Sequence, residues 1–166
     1  MNSGEITISF DETMDRSSFD VSKLVLTSDS SDVFSGIVSI NISVADVANS
    51  DDNTTMVLLL STADLDAIKA SAGLCTRRTD CWLKIADGLF TDMAGNELVG
   101  TGSTHQSIYG FREDTTAPQL ESFELNMDSS TLTLTFDETV DASSLVRSGI
   151  TLQNSRNATS SVTLAT

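Results

Sequence analysis

The chain has little of the residue types that carry most enzyme and cofactor chemistry. His105 is its only histidine and Cys75 and Cys81 its only cysteines, too few for an ordinary four-ligand zinc site. Aromatic residues make up only 5% of the sequence, fewer than a sugar-cleaving cleft normally uses. The sequence has no nucleophile elbow, phosphate-binding glycine loop or metalloprotease helix. We therefore expect that the protein is not an enzyme.

Positive charge is also scarce. Nine Lys and Arg residues stand against 24 Asp and Glu residues, a formal net charge of -15. Nucleic acid and anionic membrane surfaces would repel such a chain, so neither is an expected partner. The sequence has no apolar run of about 18 residues, which argues against direct membrane insertion. Met1 to Phe10 do not resemble a signal peptide, so we expect any export signal to lie outside this sequence.

The two cysteines and three glycosylation triplets favour a secreted or cell-surface protein. With so few metal-binding partners, a local Cys75–Cys81 disulfide is the simpler use of the cysteines, and a reactive thiol is the weaker alternative. The triplets beginning at Asn41, Asn53 and Asn157 fit the N-glycosylation pattern. An extracellular glycoprotein with one disulfide is the resulting expectation.

A segment of the sequence occurs twice. Residues 5–19, EITISFDETMDRSSF, return as residues 131–145, TLTLTFDETVDASSL, at an offset of 126 residues without a gap. The only proline, Pro118, lies before the second copy, where its fixed φ suits a stiff connector. We expect a first unit at 1–112 that lacks its first strand. We expect 113–166 to be the N-terminal part of a second unit.

Short strands and one helix account for most of the pattern. Ile6, Ile8 and Phe10 alternate with polar residues, as on a half-buried strand. Further strands are expected at 23–27, 36–44, 55–60, 81–86 and within 107–112. A helix is expected after Ser61 or Thr62, with Gly73 as its end. Many short strands in a unit above 100 residues favour an all-β Greek-key sandwich over a solenoid.

Several segments together resemble a known family. FDETMDRSS, TTMVLLLSTADLDAIKAS, WLKIADGLFTDMAGNEL and DTTAPQL are similar to the tandem Ig-like repeats of bacterial surface-layer proteins, large adhesins and related algal or protist surface proteins. The resemblance covers essentially the whole chain. It implies Ig-like β-sandwich repeats used as spacers, adhesive tips or filament subunits. The cysteine pair and the glycosylation triplets depart from typical bacterial members and favour a eukaryotic host.

Calcium is the cofactor that the acidic loops suggest. Loops at one end of an antiparallel sandwich would bring together carboxylates distant in sequence, and calcium requires six to eight oxygen ligands. The alternative is that these Asp and Asn residues only form turns, since Asp-x-x-Gly-Asn suits a tight turn. The candidate ligands are Asp11, Glu12, Asp92 and Asn96 in the first unit, and Glu113, Asp114, Asp137 and Glu138 around the linker and the second unit.

Three other residue types have less specific interpretations. Trp82 could stack on a sugar, but packing in the core is the favoured interpretation. Arg77 and Arg78 form a small basic tip that could contact an acidic neighbour or simply be exposed. His105 is expected to be an ordinary surface residue of a loop.

These features predict an extracellular structural repeat of a large surface or fibre-forming protein, whose partners are neighbouring repeats or copies of the same protein. Stiffening of the repeat junctions by calcium is part of this hypothesis. An adhesion module that binds a glycan or a surface protein is the first alternative. An accessory domain of a secreted enzyme is the second. A strand supplied by another chain, as in donor-strand assembly, is a further and weaker possibility.

Overall fold

The structure is a computed structural model that describes residues 4–33, 35–43 and 45–165. The strands in this part of the chain are β1 (Glu5–Asp15), β2 (Leu24–Thr27), β3 (Ser39–Asn41), β4 (Ala45–Val47), β5 (Asn53–Leu60), β6 (Trp82–Ile85), β7 (Thr91–Asp92), β8 (Gln106–Ser107), β9 (Leu120–Asn126), β10 (Thr131–Phe136), β11 (Thr151–Gln153) and β12 (Ser161–Thr163). The helix α1 spans Thr62–Ala70. Short 3₁₀ turns lie at Arg16–Ser18, Val21–Lys23, Arg78–Asp80, Ala142–Ser144 and Arg147–Gly149.

The first unit is an all-β sandwich of two four-stranded sheets. One sheet has the order β4-β5-β1-β7 and the other the order β3-β2-β6-β8, and every pairing is antiparallel. Met14, Met56 and Leu58 of the first sheet and Leu24 of the second are at most 2% exposed. The alternation of apolar and polar residues along the strands thus leads to a shared core, which confirms the expected all-β sandwich.

Helix α1 begins where the sequence predicts. The hydroxyl of Ser61 accepts a hydrogen bond from the Asp64 N–H at 3.1 Å, an N-cap that satisfies one free donor of the first turn. Ile68 faces the core at 2% exposure. Lys69, in the last turn, lies on the side of the helix that faces the linker to the second unit.

The duplicated segment has matching local geometry in both units. Asp15 accepts a hydrogen bond from the Ser17 N–H at 2.8 Å, and Asp141 accepts the equivalent bond from Ser143 at 2.8 Å. In each case a strand, two 3₁₀ turns and a further strand follow one another. The FDET residues themselves differ, because β1 continues through them to pair with β5 and β7, whereas β10 ends at Phe136.

The second unit consists of two separate antiparallel hairpins. β9 pairs with β10, and β11 pairs with β12. Many of its apolar side chains are exposed, including Phe123 at 60% and Val146 at 67%. Val140 is 37% exposed, whereas Met14, its counterpart at the offset of 126 residues, is 2% exposed in the core of the first unit.

Some strand positions differ from the expectation. The strand expected at 36–44 is only Ser39–Asn41, and Val44 lies outside the described residues. The late strand lies at Gln106–Ser107, upstream of most of the expected range. Strand β7 was not expected, because its two residues carry no alternating pattern. Helix α1 is far too short to cross a membrane, and the described residues include no helix that could.

Candidate functional site

The most elaborate polar contact between the two units centres on Lys69. Its Nζ lies 2.8 Å from Asp114 Oδ2 in the linker and 2.7 Å from Glu138 Oε2 in the second unit. One turn earlier on the same helix, Asp66 Oδ1 accepts a hydrogen bond from the Thr139 hydroxyl at 2.6 Å. We call these five residues the joint. Helix α1 of the first unit thereby contacts both the linker and the loop after β10.

The joint is largely shielded from water. The side chains of Lys69 and Glu138 are 15% and 14% exposed, and that of Asp114 is 28% exposed. Burial alone would lower the pKa of Lys69, but its hydrogen bonds to Asp114 and Glu138 and their charges raise that pKa above the ordinary value. The hydrogen bond from Lys69 in turn lowers the pKa of Asp114. Each shift favours the charged form, so the ion pairs persist at neutral pH.

An open cleft of about 400 Å³ lies beside the joint. It is bounded by the helix, the disulfide loop and the linker, with Leu74, Cys75 and Pro118 among its lining residues. The acidic and basic groups of the joint are already paired with one another. The cleft is therefore the seam between the units, and Glu138 Oε1, which lines it, is buried without a hydrogen-bond partner among the described residues.

Three of the four predicted ligands around the linker already bind other groups of the protein. Asp114 and Glu138 bind Lys69, and Asp137 Oδ1 accepts a hydrogen bond from the Gln119 N–H at 2.7 Å. Glu113 lines the cleft. Lys69 thus lies between two of the carboxylates that the sequence predicts as calcium ligands.

The predicted ligands of the first unit do lie together. Asp11, Glu12, Asp92 and Asn96 line one cleft of about 310 Å³. Asp92 is engaged in a turn, since Oδ1 accepts from the N–H groups of Ala94 and Asn96, both at 2.8 Å, and Oδ2 accepts from the Asn96 amide at 2.6 Å. These bonds, led by that from the Asn96 side chain, lower the pKa of Asp92.

Gly95 has φ +86° in this turn, so its backbone conformation is the one glycine adopts without strain. The geometry thus supports the alternative in which Asp92 and Asn96 form a tight turn. In the described ranges, no three His, Cys, Asp or Glu side chains are arranged to hold a metal ion. Calcium binding remains a prediction of the sequence.

The cysteine pair forms the predicted disulfide. Cys75 and Cys81 are bonded and are 7% and 2% exposed. The enclosed loop is also held by hydrogen bonds, because Asp80 Oδ1 accepts from the Arg77 N–H at 2.9 Å and the Cys75 N–H donates to the Asp80 carbonyl at 2.8 Å. Arg77 and Arg78 lie exposed at the tip of this loop, where Arg77 Nε lies 3.2 Å from Asp80 Oδ2 and Arg78 Nε donates to the Ile108 carbonyl at 3.2 Å.

The expectation for His105 is wrong. His105 is 3% exposed. Its backbone N–H donates to the Ser30 carbonyl at 2.8 Å, and its ring Nδ1 lies 2.8 Å from the Asp29 carbonyl oxygen. The loop around it is held against the segment after β2 by the backbone bridge between Ser31 and Thr104. A polar loop composition gave no sign of this pairing.

Trp82 and the three glycosylation triplets lie in positions that are compatible with their predicted roles. Trp82 is half-buried on β6, and its Nε1 donates to the Thr79 carbonyl at 3.3 Å. Asn41, Asn53 and Asn157 are all exposed. No functional role was predicted for Lys69, Asp66 or Thr139. The only available signal was a lone lysine in the last turn of the predicted helix of a strongly acidic chain.

No protein-family model, curated protein or solved structure matches this chain. The resemblance to Ig-like repeats therefore remains an expectation from the sequence. The sandwich, the disulfide and the joint are properties of the structure itself.

Proposed function

We propose that the chain is an extracellular spacer in which β-sandwich units follow one another and are held at defined joints. The observation that carries the proposal is the Lys69 contact, because a single side chain of the first unit bridges the linker and the second unit. Such a bridge restricts the movement of the linker relative to helix α1. The exposed, acidic surface would keep neighbouring molecules apart in solution.

The extracellular part of the proposal is supported by the disulfide. Disulfides form and persist mainly in oxidising compartments, and this one closes a loop that is already well ordered. The three exposed Asn-x-Ser/Thr triplets agree with the same location. Adhesion to a glycan or surface protein remains the alternative role, and Ig-like Greek-key repeats remain the proposed family of folds.

Small-angle X-ray scattering of the full chain tests the role of the joint. In the Lys69→Met variant we expect a broader distribution of interatomic distances and a larger maximum dimension, because the two ion pairs that join helix α1 to the linker and to the second unit are then lost. Lys84→Met is the matched control, since Lys84 pairs with Asp32 within the first unit at 2.5 Å. Identical scattering from the wild type and Lys69→Met would contradict the joint. Binding of the wild type to a glycan array would favour adhesion instead.

Calcium stiffening is a separate part of the proposal and has its own test. We expect millimolar calcium to raise the melting temperature of the wild type if the cleft of Asp11, Glu12 and Asp92 binds the ion. The Glu12→Gln variant should then lose the increase, while Asp114→Asn, at the joint, should keep it. A melting temperature that calcium does not change would remove calcium from the proposal and leave the Lys69 joint intact.

A further inference from the structure

Strand β1 of the first unit has one edge that is paired and one that is largely open. The Leu60 N–H donates to the Gly4 carbonyl at 2.8 Å, so the backbone groups of even-numbered residues at the start of β1 point towards β5. Those of Glu5, Thr7 and Ser9 therefore point the other way. On that side β7 reaches only Met14 and Asp15, and no other described strand pairs with β1.

The second unit shows what covers the equivalent edge. The Asp137 N–H donates to the Gln119 carbonyl at 3.1 Å, so odd-numbered residues of β10 point towards β9. With the offset of 126 residues, these are the counterparts of odd-numbered residues of β1. Strand β9 thus lies on the edge of β10 that corresponds to the open edge of β1.

The side chains of β9 match this position on β1 as well. On β10, Leu125 lies opposite Leu132, Phe123 opposite Leu134 and Leu120 opposite Phe136. Glu121 is an extra residue at the register shift, and this bulge returns Leu120 to the apolar face. Transferred by 126 residues, the same three side chains would lie beside Ile6, Ile8 and Phe10, which are only partly buried in the first unit.

We propose that the open edge of β1 is a docking site for one extended segment with the sequence pattern of β9. The segment would pair antiparallel with Glu5–Ser9 in the register that β9 holds on β10. It would bury Ile6, Ile8 and Phe10 under three apolar side chains, and its polar residues would face water. The residue of the segment that corresponds to Asn126 would lie opposite Glu5, and the one that corresponds to Glu124 would lie opposite Thr7. No like charges would therefore be directly opposed. The inference concerns the edge alone and does not rest on the spacer role.

A synthetic peptide of residues 119–127, labelled with a fluorophore, tests the docking site on the full chain by fluorescence anisotropy. We expect saturable binding that a scrambled peptide of the same composition does not show. Methylation of the Glu124 backbone nitrogen should weaken binding at least about tenfold, because that N–H points towards Thr7 in the proposed register. Methylation of the Phe123 nitrogen, which points away, is the matched control and should change binding little.

Variants of the chain distinguish the open edge of β1 from the occupied edge of β10. Thr7→Pro removes a donor on the open edge without touching the bonds to β5, so the protein should stay folded by circular dichroism and lose the peptide. Thr133→Pro makes the equivalent change on β10 and should leave peptide binding intact. Absence of binding by the wild type would overturn the inference. Loss of binding in Thr133→Pro but not in Thr7→Pro would overturn it too.

Discussion

At the scale of single residues, the carboxylate of Asp64 joins helix α1 to the chain after β3. The residue is 5% exposed. Its Oδ2 accepts from the Ser43 N–H at 3.1 Å and from the Ser61 hydroxyl at 3.0 Å, and its Oδ1 accepts from the Ser43 hydroxyl at 2.8 Å. A buried acceptor that serves several donors stabilises the fold mainly because its loss leaves those donors unsatisfied.

We expect Asp64→Ala to lower the free energy of unfolding by about 1–3 kcal/mol, since the Ser43 N–H would lose its acceptor. Asp64→Asn keeps one acceptor oxygen and should lose less. Urea unfolding followed by circular dichroism measures both. Equal stability of Asp64→Ala and the wild type would show that water replaces the carboxylate without loss.

Gly100 has no room for a side chain, because the backbone of another segment lies against it. A Cβ at this position would come within 2.3 Å of the Ile85 carbonyl oxygen. We expect Gly100→Ala to destabilise the protein by about 1–3 kcal/mol, as overpacking of a rigid site does. Gly110→Ala is the control, since a Cβ there meets nothing within 4 Å. Similar urea midpoints for the two variants would contradict this account.

At the scale of elements, the disulfide supports a loop that other bonds already shape. It closes a loop with a sequence separation of six residues, for which restriction of the unfolded chain contributes about 2 kcal/mol. We expect the Cys75→Ala/Cys81→Ala variant to remain folded and to lose about that amount, because the Asp80 hydrogen bonds still hold the loop. Reductant should lower the melting temperature of the wild type and leave that of the variant unchanged. Unfolding of the variant at room temperature would show that the hydrogen bonds cannot hold the loop alone.

The sequence predicts some elements well because their signals are local. Ser61 as a cap and the alternation of Ile6, Ile8 and Phe10 depend on neighbours along the chain, and both are confirmed. Strand β7 and the burial of His105 depend on pairings with distant segments that leave no periodic pattern. The joint was missed for the same reason, because only the folded chain brings Lys69 to Glu138.

At the scale of the whole molecule, the joint should respond to acid. The pKa of Asp114 is lowered in the folded protein, chiefly by the hydrogen bond from Lys69. A carboxyl group with a lowered folded pKa contributes stability above its unfolded pKa of about 3.9, and that contribution is lost as the pH falls through the folded value. The contribution of Asp114 is therefore complete at neutral pH and disappears in strong acid.

We expect the wild type to exceed Lys69→Met in stability by about 1 kcal/mol at neutral pH, and this difference to shrink below about pH 4. Comparison of the two proteins is necessary because other carboxyl groups with lowered pKa values, such as those of Asp15 and Asp141, titrate in both. Asp114→Asn in each background completes a double-mutant cycle, and it should cost more stability where Lys69 is present than where it is replaced. Thermal unfolding across this pH range measures the four proteins. A difference that stays constant from neutral pH to strong acid would mean that Lys69 stabilises the joint by packing rather than by charge.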